Sequence, residues 1–167
     1  MSAPVILVVM GVSGSGKTTI ASAIADRLHW DLQEGDDLHP ESNVDKMARG
    51  TPLTDDDRWP WLDRVAGWID EHLDAGRSGV VTCSALKRSY RDVLRRDAVH
   101  FVYLDAGRDE LEKRVMHRRG HYMPASLLDS QLATLEPPED DEQVFVVSID
   151  RPAGDIAAEI AERIGAH

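Results

Sequence analysis

The run Gly11-Val12-Ser13-Gly14-Ser15-Gly16-Lys17-Thr18 carries the most specific chemistry in the chain. It fits the pattern G-x-x-x-x-G-K-[ST], with an apolar, strand-like run before it and helix-spaced apolar residues after it. Glycines let such a loop curl so that backbone N–H groups converge on phosphate oxygens. A helix starting near Lys17 points its positive dipole end at the same place. A lysine at this position reaches the β- and γ-phosphates, and the threonine hydroxyl serves Mg²⁺. A strand-to-helix turn that binds nothing has no need to keep all eight positions in register. The expectation is a nucleoside triphosphate held by Gly11, Val12, Ser13, Gly14, Ser15, Gly16, Lys17 and Thr18.

The loop alone does not choose among kinases, GTPases, motors and transport ATPases. GTPases read guanine with an [N/T]-K-x-D segment. Here the one asparagine is Asn43, and no lysine (Lys17, Lys46, Lys87, Lys113) has an aspartate two positions later. Motor and transport ATPases usually end a buried strand on a carboxylate, but the run 80–83 is followed by Ser84-Ala85. Carboxylates for metal chemistry must come from elsewhere, and Glu34-Gly35-Asp36-Asp37, after the second apolar run, is the obvious source. Small-molecule and nucleotide kinases of this size commonly place carboxylates there.

Composition narrows the partners. A net charge of −11 argues against a nucleic-acid surface and against docking on anionic membrane. An acidic chain that handles phosphates must concentrate its few basic groups in one cleft. The lone cysteine, Cys83, excludes an intramolecular disulfide and follows an apolar run, which reads as core rather than nucleophile. The first residues carry no basic leader and no apolar run reaches membrane-spanning length, so the expected location is cytoplasmic.

The elements that must position these groups follow from periodicity. Apolar, β-branched runs recur at 5–10, 30–33, 79–83, 99–105 and 144–150. Between them lie helical stripes: Ile20, Ala23, Ile24 and Leu28; Leu62, Val65, Ala66, Ile69 and Leu73; and Ile156, Ile160 and Ile164. Alternation of this kind predicts an α/β fold, a parallel five-stranded sheet with helices on both faces, in one domain over 1–167. Ligands in such sheets sit beyond the carboxyl ends of the strands. Two polar regions fit no simple crossover, an insert at about 36–62 and an Arg/His-rich segment at about 114–136. Both read as parts of that edge, an acceptor-binding insert and a closing lid. The acidic stretch 136–142 reads as a solvated loop before the last strand.

Several blocks resemble the gluconokinase family, the P-loop gluconate kinases of the thermoresistant type. They are the phosphate loop 11–18, Glu34-Gly35-Asp36-Asp37-Leu38-His39-Pro40, Asn43, Lys46-Met47, Gly50-x-Pro52-Leu53 and Asp55-Asp56-Asp57-Arg58-x-Pro60-Trp61-Leu62. Cys83-Ser84-Ala85-Leu86-Lys87-Arg88-x-Tyr90-Arg91-Asp92, Gly120-His121, Ser130-Gln131 and Leu135-Glu136-Pro137-Pro138 complete the set, in order and across essentially the whole chain. Glu34 departs from the aspartate often found in the family, and Thr18 from the commoner serine; charge and hydroxyl are kept. The resemblance implies a P-loop NTPase fold like that of nucleoside monophosphate kinases. It also implies transfer of phosphate from ATP to D-gluconate with Mg²⁺, and a homodimer.

Roles can then be laid out. Phosphoryl transfer to a hydroxyl needs positioning and charge neutralisation, and gains from a carboxylate base. Asp36 is the candidate, with Lys17 and Arg118 as the other catalytic groups. Glu34, two residues earlier, lies on the same side if the strand continues, which makes Thr18, Glu34 and Asp36 the candidate metal shell. Gluconate's carboxylate and hydroxyls call for cations and bonding side chains, supplied by His39, Lys46, Arg58, Lys87 and Arg91. Arg58, following three aspartates, also reads as a surface ion pair, and Asn43 reads equally as a cap or a substrate contact. Arg114 and Arg118, at i and i+4, match lid arginines that pack on adenine and touch phosphate in nucleotide kinases. His121 and Gln131 reach the acceptor from a closed lid, and Arg151-Pro152 resembles the segment lining adenine. Trp59 and Trp61 read as packing for the insert rather than a sugar platform. The alternatives are a shikimate-type kinase and, from another class, a nucleotide-dependent regulatory module that an acceptor does not stimulate.

Overall fold

Five parallel strands run through the molecule in the order β2-β3-β1-β4-β5: β1 (Ile6–Met10), β2 (Asp31–Glu34), β3 (Gly79–Thr82), β4 (Val99–Asp105) and β5 (Val144–Ser148). The structure is a computed structural model, which describes residues 3–12, 15–51, 53–105 and 131–165. Central strand β1 is wholly buried, as a strand covered on both faces must be. Its side chains alternate between two cores. Ile6, Val8 and Met10 face Trp61, Leu62, Val65 and Ile69 of helix α3 (Asp55–Asp74), together with Tyr90 and Leu94 of α4 (Arg88–Leu94). Leu7 and Val9 face Ile20 and Ile24 of α1 (Lys17–Leu28), with Ile156 and Ile160 of the last helix, α5 (Ala153–Arg163). Each fully buried aliphatic side chain stabilises the fold by about 1.5–3 kcal/mol.

Between β2 and α3, within the polar region at about 36–62, lie a 3₁₀ turn (Gly35–Leu38) and the short helix α2 (Glu41–Ala48). Helix α3 starts with a capping box: the Thr54 hydroxyl accepts from Asp57 N–H (3.2 Å) and the Asp57 carboxylate accepts from Thr54 N–H (2.9 Å). Strand alternation predicts the five runs well. The premise that carried Glu34 and Asp36 onto one side does not hold, because β2 ends at Glu34 and the chain turns at Gly35. Gly35 is required there: a Cβ would collide with the Thr82 carbonyl oxygen of the neighbouring strand.

Residues 136–142 also differ in part from expectation. The Glu136 carboxylate accepts from Arg88 N–H (3.0 Å) at the start of α4, and Asp141 pairs with the Arg88 guanidinium (2.6 Å). Most of the acidic stretch is exposed, as a solvated loop is, but it also clamps α4, and Glu142 departs from the expectation by being buried. Residues 131–134 are helical, and Leu132 and Leu135 pack on Val12 of the phosphate loop and on Leu86.

Candidate active site

The phosphate loop leaves the carboxyl end of β1, and Gly16, at φ 92°, caps α1 in the left-handed region that glycine adopts without strain. Ser15 closes the turn by donating its hydroxyl to the Val12 carbonyl (2.7 Å). Lys17 Nζ folds back on its own loop and donates to the carbonyls of Gly11 (2.9 Å) and Val12 (3.2 Å). Beside Gly16 lies a cavity of about 150 Å³ lined by Thr19, Ile20, Ile149, Arg151 and Ala153. It brings Arg151 to the donor side, with Pro152 as the residue before α5. Ser13, Gly14, Arg114, Arg118 and His121 lie outside the described residues.

Across the loop, the Thr18 hydroxyl donates to Glu34 Oε2 (3.2 Å). The Thr82 hydroxyl donates to the same oxygen (2.7 Å) while accepting from Gly35 N–H (3.1 Å). Thr82 ends β3, the strand that lacks an acidic residue at its end, so a carboxylate reaches that position sideways from β2. Hydroxyl and carboxylate oxygens are the hard donors Mg²⁺ takes, and Mg²⁺ commonly uses one or two carboxylates plus substrate phosphates. Thr18 and Glu34 fit such an ion. Among the described residues no group of three or more His, Cys, Asp or Glu side chains forms a metal cage. The Asp36 side chain is 86% exposed, and its carboxylate lies 4.0 Å from His39 Nε2.

His39 is buried and stacked on Trp61 (centroids 4.2 Å, planes 15° apart), and Trp61 Nε1 donates to the Gly35 carbonyl (2.8 Å). Trp61 is therefore packing, as expected. Burial pushes the His39 imidazole below its ordinary pKa, the nearby Asp36 charge opposing and Arg58 reinforcing the shift. The ring's tautomer follows from its neighbour. Asn43 Nδ2 donates to the Asp57 carbonyl (2.8 Å), which fixes the amide's orientation, and also faces His39 Nδ1 (3.1 Å). Nδ1 of the neutral ring accepts, so Nε2 carries the proton and aims it toward Asp36. Asn43 is thus a buried bridge between α2 and α3.

Four more groups gather at the start of α3 and α4. Lys87 Nζ donates to Asp55 Oδ1 (3.2 Å), Arg58 lies 3.9 Å from the same oxygen, and Arg58 Nη1 donates to Tyr90 OH (3.1 Å). Tyr90 OH donates to Asp55, and its ring lies under both cations at 5.5–5.6 Å. Hydrogen bonds from Tyr90 and Lys87 hold the Asp55 carboxyl below its usual range. Trp59 meets the Tyr90 ring edge-on, which again is packing. Arg58 is ion-paired, as its surface reading expects, and its side chain remains 28% exposed.

Two further predicted acceptor residues are each held by a carboxylate of their own. Arg91 is fully buried; its fork binds Glu142 (2.6 and 3.4 Å), and Nη1 donates to the Ala85 carbonyl (2.8 Å). Lys87 and Arg91 are four residues apart, but Lys87 precedes the first turn of α4 and turns to Asp55, so the shared face does not give a shared site. Lys46 donates to both carboxylate oxygens of Asp57 (2.7 and 2.9 Å), tying α2 to the cap of α3. That contact holds the Asp57 carboxyl down to about 2. Gln131 lies in the helical residues beside Leu132. Asp55, Tyr90 and Thr82 join the site with no role expected from the sequence. Tyr90 had a signal, since it follows Lys87 by three residues on a helix. Cys83 is core: burial pushes its thiol up to about 12.

A central-strand phosphate loop, parallel strands on both sides of it and an insert after β2 define a P-loop NTPase. An AAA domain family model matches residues 6–138. The chain is 58% identical to the gluconokinase of Gluconobacter oxydans over 87% of this chain and 83% of that one, and it belongs to the gluconokinase family. Solved structures agree. An unliganded sugar kinase from Janibacter sp. superposes with a TM-score of 0.90 at 48% identity, covering 97% of this chain and 95% of that one. A gluconokinase from Sinorhizobium meliloti gives 0.83 at 44%, covering 99% and 98%.

Proposed function

We propose that the chain is an ATP-dependent gluconokinase that phosphorylates D-gluconate to 6-phospho-D-gluconate. The observation that carries the substrate reading is the half-exposed pair Arg58 and Lys87, grouped at the same sheet edge as the phosphate loop. A plain nucleotide switch has no use for such cations, whereas a sugar acid offers them a carboxylate. In the reaction, an acceptor hydroxyl oxygen forms a bond to the γ-phosphorus, the bond from phosphorus to the β,γ-bridging oxygen breaks, and ADP leaves. The hydroxyl proton passes to the Asp36 carboxylate. His39 Nε2–H orients Asp36 or an acceptor oxygen beside it, and Arg58 and Lys87 hold the carboxylate end. Lys17 leaves its carbonyl partners for the phosphates, with Arg118 a further catalytic group and Arg114, Arg151 and Pro152 on the nucleotide side. Thr18 and Glu34 would hold Mg²⁺, which would neutralise phosphate charge. His121 and Gln131 complete the acceptor side. The enzyme works as one domain, in the cytoplasm, as a homodimer; among the described residues no helix is long and apolar enough to cross a membrane.

The test is ADP release with gluconate, shikimate and nucleoside monophosphates as acceptors. Gluconate-stimulated turnover is expected; turnover with another acceptor alone removes the substrate. Asp36→Asn should cut turnover by about 10²–10⁴-fold with ATP affinity retained, the usual contribution of general base catalysis. Unchanged turnover removes Asp36 from the base role.

A further inference from the structure

Asp55 is an odd presence in a site for an anionic acceptor. Its carboxylate sits where Lys87, Arg58 and the Tyr90 hydroxyl converge, and it takes hydrogen bonds from Lys87 and Tyr90. This is the donor set a free carboxylate ligand would find: two cations of different geometry and a phenol. The cluster is half-open, with side-chain exposures of 48% for Asp55, 31% for Lys87 and 28% for Arg58. It differs from every sealed pair in the chain in that solvent, and so a ligand, reaches its centre. Asp55 lies in the first turn of α3, where the helix dipole and the Thr54 cap already favour a negative charge without these cations.

We propose that Asp55 is an internal stand-in for the acceptor's carboxylate: it occupies the Lys87–Arg58–Tyr90 cluster in the empty enzyme and yields it when a sugar acid binds. The proposal rests on the reading of an anionic acceptor. Asp55 keeps the two cations ordered and neutralised between turnovers, at the cost of competing with substrate. It also sets selectivity, because an acceptor lacking a carboxylate cannot repay the displaced contacts.

Asp55→Asn keeps the shape and the helix start while removing the competing charge. Its KM for gluconate should fall about threefold to fivefold, the range an exposed ion pair covers, with KM for ATP unmoved. A merely structural Asp55 predicts the opposite sign, since loosening the cations would raise KM. Asp56→Asn, an exposed neighbour in the same turn, controls for net charge and dipole and should leave both constants alone. A second readout is independent of which acid is the substrate: acetate titrated against the Arg58 guanidinium NMR resonances of the two proteins. Tighter acetate binding in Asp55→Asn supports the stand-in role even if gluconate proves inert; equal or weaker acetate binding overturns it. A raised or unchanged gluconate KM in the variant, with the unsubstituted enzyme active, overturns it while leaving the gluconokinase reading intact.

Discussion

Two of the ion clusters along helix α4 contrast most, one at its entrance and one a turn further in. Both join an arginine or lysine to a carboxylate brought from a distant part of the chain, yet they do different work. Arg91 and Glu142 are wholly shielded from solvent, and the pair is completed by the Ala85 carbonyl and the Glu139 N–H (2.7 Å). Burial alone would raise the Glu142 pKa; the bonds from Arg91 and Glu139 outweigh it and hold it below its usual value. Lys87, Arg58 and Asp55 use the same chemistry in contact with water. A sealed pair can only hold structure, because no ligand reaches it, whereas an open one can exchange its partner. The two are linked: Ala85 sits at φ 45°, a conformation costly for a residue with a Cβ, and the Arg91 bond restrains the loop that leads to Lys87.

The sharpest way to break this contrast is to unpair the sealed cluster. Glu142→Gln should cost about 3–5 kcal/mol, the penalty for stranding a buried charge, and lower Tm by about 10 °C. The folded enzyme should keep its gluconate KM; a large KM change with intact Tm would reverse the assignment of the two clusters. Next comes the open cluster. Arg58→Met and Lys87→Met should each raise the gluconate KM by about 10–100-fold, as loss of a charged hydrogen bond to a ligand does, with little change in Tm. Unchanged KM in both would leave the open cluster as ordinary surface.

The smallest effect is expected at Lys46–Asp57, a half-buried pair between these extremes. The Asp57 pKa is lowered from 3.8 to about 2, so its stabilisation is present above the unfolded value and is lost as pH falls from about 4 toward 2. Asp57→Asn should flatten stability over that window and leave the neutral-pH gluconate KM unchanged. A pH profile of Tm identical in the two proteins would place Lys46 outside the pair and free it for the acceptor.

The strands, the phosphate loop and the helix stripes were legible because each follows from a local period or a contiguous motif. The partners of the cations were not. Arg91 and Lys87 are equivalent by helix spacing, and only the distant Glu142 and Asp55 separate them. Within residues 136–142, which are mostly exposed as their charge predicts, Glu142 alone is buried, because a buried guanidinium needs a counter-ion. The expectation that Glu34 and Asp36 share a side rested on the strand continuing, and β2 instead ends at Glu34, at a turn where a Cβ on Gly35 would meet the Thr82 carbonyl.

The bond from Thr82 to Glu34 ties strand alignment to the proposed Mg²⁺ site. β2 is an edge strand of four residues, paired Asp31↔Gly79, Leu32↔Val80, Gln33↔Val81 and Glu34↔Thr82. Sliding it by a single residue would turn Glu34 to the opposite face of the sheet and empty the carboxylate position beside Thr18. The Gly35 backbone, pressed against Thr82, is the stop that prevents the slide. This edge strand is thus the ruler by which the donor side is measured, and Gly35→Ala, whose Cβ would meet the Thr82 carbonyl, should silence the enzyme with Thr18, Glu34 and Thr82 all still present.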